Sequence, residues 1–366
     1  MRYLNWFLAE FATVITDLPE VIGIGIACNI FFGWPYWVGL FLSLLTTMVF
    51  LFTLNYSTRL LEGIVGIFVG IMAIALFMEM DFVGIHTKEL FEGWTIGVKD
   101  LTSDDIFSIT GVVGAVVMPH NLYLHTAACQ SRYVAREHVE KAVFYSSIEP
   151  IIPVIVAFFI NLAVVVIAAE RVYGTDEASG VGLTNFCDYF QNLAAGCALW
   201  GIALLAAGQS SAITTTYTGQ YVMDGFLNIQ LPIKVRAIVT RLVAITPAIF
   251  VSALFPNHLN QMVNIVNALL SFLLPFAFTP LVKFNCNEDI MGGHASKGIE
   301  KFLLYFFAFA VWLVNALGLS LNGGGFFGDL RGKSNNVLVG TLLMLLELAI
   351  QIFYIWWILW RFTRKK

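Results

Sequence analysis

The sequence is poor in charged residues and in cysteine. Only 12% of its 366 residues are charged, against about a quarter in an average soluble domain. Hydrophobic residues make up 58% of the chain and the mean hydropathy is +0.80, which excludes a soluble globular protein and predicts an integral membrane protein. The five cysteines are an odd number and none forms a CxxC pair. We therefore expect neither a disulfide framework nor a zinc site.

Long apolar segments run through the whole chain. A helix needs roughly 20 apolar residues to span a bilayer, and ten segments are long enough to be candidates. We predict a single all-α transmembrane domain over residues 1–366 with about ten helices. The predicted spans are 6–32, 35–55, 61–82, 105–129, 143–169, 190–226, 237–255, 259–284, 300–320 and 336–360.

Lysine and arginine are unevenly distributed among the loops. If the N-terminus is cytoplasmic, 14 of the 20 basic residues fall on the cytoplasmic side and 5 on the other, while Arg241 lies within a span. Cytoplasmic loops of membrane proteins carry an excess of positive charge. We therefore predict a multi-pass protein of the cell membrane with both termini in the cytoplasm.

A proline interrupts the fourth predicted span. Pro119 cannot donate a backbone hydrogen bond, and its ring clashes with the carbonyl of Ala115, four residues earlier. A carbonyl without a partner is costly inside a membrane unless another group binds it. Met118 adds a thioether, and a carbonyl with a soft sulfur suits a transition metal better than calcium, which prefers oxygen ligands alone. The alternative is a structural kink beside a packing methionine, and both are common in membrane helices.

Ionisable residues also lie inside the predicted spans. His120 and His125 follow the break, and histidine titrates near neutral pH. They could instead be a pair of hydrogen-bonded core histidines. Asp17 and Glu20 lie close to one stripe of the first span. A carboxylate inside a membrane costs free energy, so its presence there suggests a function. They could carry protons or pair statically with Arg241, and these two interpretations are compatible.

Four stretches of the sequence resemble helices of the Nramp family of proton-coupled divalent-metal transporters. "MPHNLYLHTA" is similar to the sixth helix of the family and "TDLPEVIG" to the third. "GQSSAITTTYTGQYVMDGFL" is similar to the eighth and "LSFLLPFAFTPL" to the tenth. These matches occur in the family's order and cover essentially the whole chain. The resemblance implies a LeuT-type fold of two inverted five-helix repeats, with the site at broken helices near the membrane midplane.

The resemblance also implies a substrate and roles for individual residues. We expect a secondary transporter, not an enzyme, that moves divalent metal ions of the manganese or iron class with protons. No cofactor and no nucleic-acid partner are expected, and we predict a monomer in the lipid bilayer. The metal ligands are predicted to be the Ala115 carbonyl, the Met118 sulfur and the Asn267 side chain. The predicted proton pathway comprises Asp17, Glu20, His120, His125 and Arg241.

Three features depart from the family pattern. The DPGN motif of the family's first helix, which supplies hard oxygen ligands, does not occur, and Met1 falls near the start of the third helix. The usual arginine pair of the ninth helix is Thr240–Arg241, and Pro19 replaces a small residue between the third-helix acids. We therefore expect the chain as written, without its first two helices, to be inactive for want of the DPGN site. The alternatives are a truncated protein that transports nothing, or a metal-sensing or interaction subunit.

Overall fold

A computed structural model describes residues 2–53, 58–96, 105–130, 133–173, 175, 180–190, 195–227, 232–320 and 337–363. Within these ranges the chain is helical and contains no β-strand. The α-helices, numbered along the chain, are α1 (Arg2–Phe32), α2 (Tyr36–Thr53), α3 (Thr58–Val83), α4 (Thr87–Ile96), α5 (Asp105–Val116), α6 (Pro119–Gln130), α7 (Val139–Ile148), α8 (Ile151–Val172), α9 (Gly196–Leu227), α10 (Ile233–Leu254), α11 (Leu259–Asn285), α12 (Glu288–Met291), α13 (Gly298–Ser320) and α14 (Val337–Thr363).

The described helices account for all ten predicted spans. Eight helical segments are long and apolar enough to cross a membrane. Two shorter apolar helices, Tyr36–Thr47 and Ile238–Leu254, lie where the second and seventh spans were predicted. The fourth and fifth spans each consist of two helices, α5 with α6 and α7 with α8. The predicted all-α architecture is confirmed, and the chain is a multi-pass membrane protein.

Helix α1 lies at the centre of the bundle. It packs along α9 and also contacts α2, α10 and α11. Its crossing with α2 depends on glycine, because a Cβ added at Gly39 would come within 2.8 Å of the Gly25 Cα and of the Cys28 Cβ. This central position buries the acidic residues that α1 carries. The apolar cluster around α1 includes Val21, Ile22, Ile26, Leu40, Ile245 and Leu270.

A second apolar cluster joins α3, α8 and α9, with Leu76, Ile167 and Trp200 at its centre. Beside it, a disulfide links Cys187, in the 3₁₀ turn Phe186–Phe190, to Cys197 in the first turn of α9. The cysteine count and spacing did not predict this pair. The other cysteines, Cys28, Cys129 and Cys286, are free thiols.

Candidate functional site

The chain breaks its helix at the predicted proline. Helix α5 ends at Val116 and α6 begins at Pro119, so that Val117 and Met118 lie outside both helices. Because Pro119 has no N–H, the Ala115 carbonyl lacks the donor that a continuous helix would supply. This carbonyl is therefore available to a ligand at the end of α5, next to the Met118 side chain in the break.

Asn267 of α11 lies against α5 near this break. The two helices meet at Gly114, where an added Cβ would overlap the Asn267 carbonyl and come 2.6 Å from the Ser271 backbone nitrogen. Ala115 and Asn267 line one cavity of about 220 Å³. The structure thus brings two of the three predicted metal ligands to one space. Met118 is half-buried in the break and does not line this cavity.

A larger cavity of about 670 Å³ adjoins the first and shares Asn264 and Asn267 with it. Its walls come from α8, residues 181–186, the first turns of α9 and the first half of α11. Residues 181–186 are held to α11 by a reciprocal pair of hydrogen bonds. The Asn260 amide nitrogen donates to the Thr184 hydroxyl (2.9 Å), and the Thr184 backbone N–H donates to the Asn260 amide oxygen (3.3 Å).

The predicted metal ligands Ala115, Met118 and Asn267 are uncharged. Across the described ranges, no three or more His, Cys, Asp or Glu side chains gather where they could hold a metal ion. What the chain offers at this place is a carbonyl, a thioether and side-chain amides. This combination favours an ion that accepts both sulfur and oxygen ligands.

The structure brings three of the five predicted proton-pathway residues together in a second, charged cluster. The Arg241 Nη1 atom lies 3.4 Å from the Asp17 Oδ2 atom, and their side chains are 0% and 3% exposed. The Asp17 carboxylate also accepts a hydrogen bond from the Thr215 hydroxyl. Glu20, one turn along α1, is within hydrogen-bonding reach of Asp17. Buried charges are stable only when they are paired and hydrogen-bonded. Here the charges are paired and Asp17 accepts a hydrogen bond, whereas the Arg241 guanidinium has no hydrogen-bond partner among the described residues.

Sequence reasoning missed the two hydroxyl donors of this cluster. Thr215 donates to Asp17, and Ser211, one turn earlier on α9, donates to Glu20. A signal was present, since residues 211 and 215 share a helix face just as residues 17 and 20 do. The hydroxyls of this polar stretch of α9 hold the two buried carboxyl groups.

The two histidines have different environments. His120, in the first turn of α6, is 1% exposed, and its Nδ1 atom has no hydrogen-bond partner within the described part of the chain. His125 is exposed, and its Nε2 atom lies 3.7 Å from the Cys129 sulfur. The structure therefore buries His120 but leaves His125 outside the buried charge cluster.

Glu79 of α3 is a further intramembrane acid that sequence reasoning missed. Its side chain is fully buried, and neither carboxyl oxygen has a hydrogen-bond partner among the residues described. Arg171 of α8 is near enough to interact with it electrostatically. A charge inside the apolar run of the third span was the available signal.

Comparison with known proteins identifies relatives of the chain. The family model for "Natural resistance-associated macrophage protein-like" (Nramp) proteins matches residues 1–321. Metal transporter Nramp2 of Populus trichocarpa is 37% identical over 356 residues, covering 93% of this chain and 65% of the relative. Metal transporter Nramp2 of Oryza sativa subsp. japonica is 37% identical over 327 residues, covering 85% of this chain and 61% of the relative. The chain thus spans less than two thirds of the length of these two relatives.

Solved structures show the same fold. Crystal structures of a manganese transporter of Eremococcus coleocola superpose with a TM-score of 0.85 at 24% sequence identity. The superposition covers 99% of this chain and 79% of that protein. The LeuT-type transporter fold expected from the sequence is confirmed.

Proposed function

Since this chain belongs to the Nramp family, we propose that it moves divalent transition-metal ions across a membrane in symport with protons. The observation that carries the proposal is the cavity along α5 that ends next to the break, where Ala115 and Asn267 line one space. Met118 lies in the break itself. Its sulfur favours ions of the manganese-to-zinc type over calcium. The names of the relatives, metal transporters and a manganese transporter, support the same class of substrate.

Protons are the second substrate in this proposal, and the Asp17 cluster supports it. Two neighbouring carboxyl groups, Asp17 and Glu20, share one buried guanidinium, that of Arg241. One positive charge can balance only one carboxylate, and a second negative charge in the same buried space is strongly disfavoured. The cluster therefore holds a proton in its resting form. When that proton leaves, the cluster carries one negative charge without a counter-charge. Proton release is thereby linked to the movement of other charges through the transporter.

The uncharged ligand set predicts that the 366 residues alone transport metal poorly. A divalent ion gives up tightly held water when it enters a membrane site, and neutral ligands compensate for that loss weakly. The family's first-helix DPGN motif supplies a carboxylate, and this motif is not among the 366 residues. We therefore expect an added DPGN helix to complete the site around Ala115 and Asn267.

We further propose that the protein is a monomer in the cell membrane, with both termini in the cytoplasm. The support is the distribution of lysine and arginine, of which 14 lie on the side of the termini and 5 on the other. The described helices agree with the even number of crossings that this orientation requires.

The test is manganese uptake into proteoliposomes under an inward proton gradient, with lumenal acidification followed by a pH-sensitive dye. Two proteins are compared: the 366-residue chain, and the same chain preceded by the first two helices of an Nramp relative. We expect saturable uptake and acidification from the extended protein only. Asp17→Asn in the extended protein should abolish acidification more completely than it lowers metal binding.

Each part of the proposal has its own contrary outcome. No uptake by the extended protein would contradict metal transport. Proton-dependent uptake by the 366-residue chain would contradict the need for an added anionic ligand. Undiminished acidification by the Asp17→Asn protein would contradict the proton pathway.

A further inference from the structure

Helix α11 presents three asparagines along one stripe. Asn260, Asn264 and Asn267 follow at i, i+4 and i+7, which places them on the same helix face. All three line the 670 Å³ cavity, and Asn264 and Asn267 also line the smaller cavity beside Ala115. Most of the remaining wall of the large cavity is valine, alanine, leucine and aromatic residues. A cation in this space therefore meets side-chain oxygen ligands mainly along this stripe.

The three amides differ in what they already bind. Asn260 is engaged through both its oxygen and its nitrogen with Thr184. The side chains of Asn264 and Asn267 make no hydrogen bond to any other described residue. A side-chain amide carries an acceptor oxygen with two lone pairs and two N–H donors. Two neighbouring amides facing a cavity with these groups unused are suited to receive a ligand.

We propose that Asn264 and Asn267 form a two-amide station for a partly hydrated divalent cation, between the large cavity and the Ala115 carbonyl. This inference rests on the proposed metal transport and adds Asn264 to the residues that contact the ion. Amide oxygens are neutral, hard ligands that can replace water around a divalent cation. The size of the adjoining cavity leaves room for the waters that the ion retains. Asn260 is a positioning residue, because its bonds to Thr184 hold the wall of the large cavity in place.

The station lets the ion lose water in steps. On reaching Asn264 the ion exchanges one water for an amide oxygen while the large cavity still holds the rest of its shell. Asn267 lines both cavities and so offers the next oxygen on the way to the Ala115 carbonyl. Full dehydration in one step would be far costlier, because the apolar walls provide no substitute ligands.

Substitutions at Asn264 test the station in the extended, transporting protein. Asn264→Leu removes the oxygen, and we expect the KM for Mn²⁺ to rise about tenfold with little change in kcat. Asn264→Asp adds a charge, and we expect the KM to fall, because ligand charge strengthens the binding of divalent cations. The matched control is Asn161→Leu on α8, since the Asn161 amide donates to the Ala157 carbonyl in its own helix (2.9 Å) and lines neither cavity. The control should keep the parent KM.

A binding measurement on the unextended chain keeps this inference separate from the transport proposal. Mn²⁺ is titrated into the purified 366-residue protein and free Mn²⁺ is followed by electron paramagnetic resonance. Asn264→Asp should bind Mn²⁺ about tenfold more tightly than Asn264→Leu, whether or not any form transports. Equal Mn²⁺ affinities for these two variants would overturn the station. So would a KM unchanged by both substitutions in a protein that transports. If the extended parent takes up no metal while the two affinities differ as expected, the transport proposal fails and the station stands.

Discussion

The charge cluster at Asp17 and the cavity at Ala115 both place polar groups inside the membrane, but they satisfy these groups differently. Asp17 is closed off from solvent and already has Arg241 and Thr215 as partners. The Ala115 carbonyl has lost its helical donor, and Asn267 faces open space. At the Asp17 cluster the opposite charges are thus paired within the protein, whereas the groups proposed to receive an ion at the break are left for the ion to complete. The next four experiments test this contrast, beginning with the largest expected effect.

Arg241→Ala should have the largest effect, because it leaves the Asp17 carboxylate buried without a counter-charge. Removal of one partner of a buried ion pair costs about 3–5 kcal/mol, so we expect a large fall in melting temperature and in the yield of folded protein. Thermal unfolding in detergent measures this. The control is the double variant Asp17→Leu with Arg241→Met, which removes both charges and should unfold at a higher temperature than Arg241→Ala. Equal melting temperatures for Arg241→Ala and the parent would show that the pair is not needed for folding.

Gly114→Ala should disrupt the cavity at Ala115. The added methyl group would overlap the Asn267 carbonyl and force α5 away from α11, and overpacking of this kind costs about 1–3 kcal/mol. We expect manganese uptake by the extended protein to fall sharply. Gly70→Ala on α3 is the control, because nothing lies within 4 Å of an added Cβ there and Gly70 lines neither cavity. Similar uptake by the two variants would mean that the α5–α11 contact does not shape the site.

Met118→Ala should change selectivity more than stability, because Met118 is half-buried and its role is proposed to be that of a soft ligand. We expect weaker cadmium transport and stronger competition by calcium, since the remaining oxygen ligands suit calcium better. Uptake of labelled manganese with cadmium or calcium as competitor measures both changes. Unchanged competition by the two ions would identify Met118 as a packing residue.

His86→Ala should have the smallest effect, although it also removes a charged contact. The His86 Nδ1 atom lies 2.9 Å from a Glu170 carboxylate oxygen, but the histidine side chain is 70% exposed. The hydrogen bond to Glu170, followed by its charge, raises the pKa of His86 above its ordinary value of 6.5. A raised pKa means that the contact stabilises the fold below about pH 6.5 and loses that contribution as the pH rises through the raised value.

We expect this loss to be small, because exposed ion pairs contribute little. Melting temperatures measured from about pH 5 to pH 8, for the parent and for His86→Ala, should converge as the pH rises. A constant difference between the two proteins across that range would rule out a protonation-dependent contact. One charged contact is exposed and the other is buried. Comparing the losses in melting temperature for His86→Ala and Arg241→Ala therefore shows how strongly burial changes the effect of losing a charged contact.

Hydropathy was sufficient to predict the helices because each span buries its own backbone hydrogen bonds, and its length is set by the bilayer. The break at Pro119 was predictable for the same local reason, since a missing N–H is a property of one residue. Sequence analysis did not predict the break between α7 and α8, where Pro150 precedes the first residue of α8. It also missed the short helix α4 outside the membrane spans.

Contacts between helices could not be predicted in the same way. Helical periodicity shows which residues share a face, but it does not show which helix that face meets. The approach of Gly114 to Asn267 and the donation from Thr215 to Asp17 join positions more than 150 residues apart. Met118 and Asn267 were placed by family resemblance rather than by pattern, and the role of Asn264 could be inferred only after the two cavities were seen.

The Cys187–Cys197 bridge has a consequence for how the protein is made. Five of the ten apolar spans precede the bridge and five follow it. With all ten crossing the membrane as proposed, the bridge lies on the side opposite to both ends of the 366 residues. Disulfides persist in the endoplasmic reticulum lumen, the periplasm or the cell exterior, while the cytosol keeps thiols reduced. In the proposed orientation, the segment before α9 is translocated across the membrane and meets an oxidant there. Protein inserted in the opposite orientation is expected to keep both thiols reduced, so the state of Cys187 and Cys197 reports the orientation.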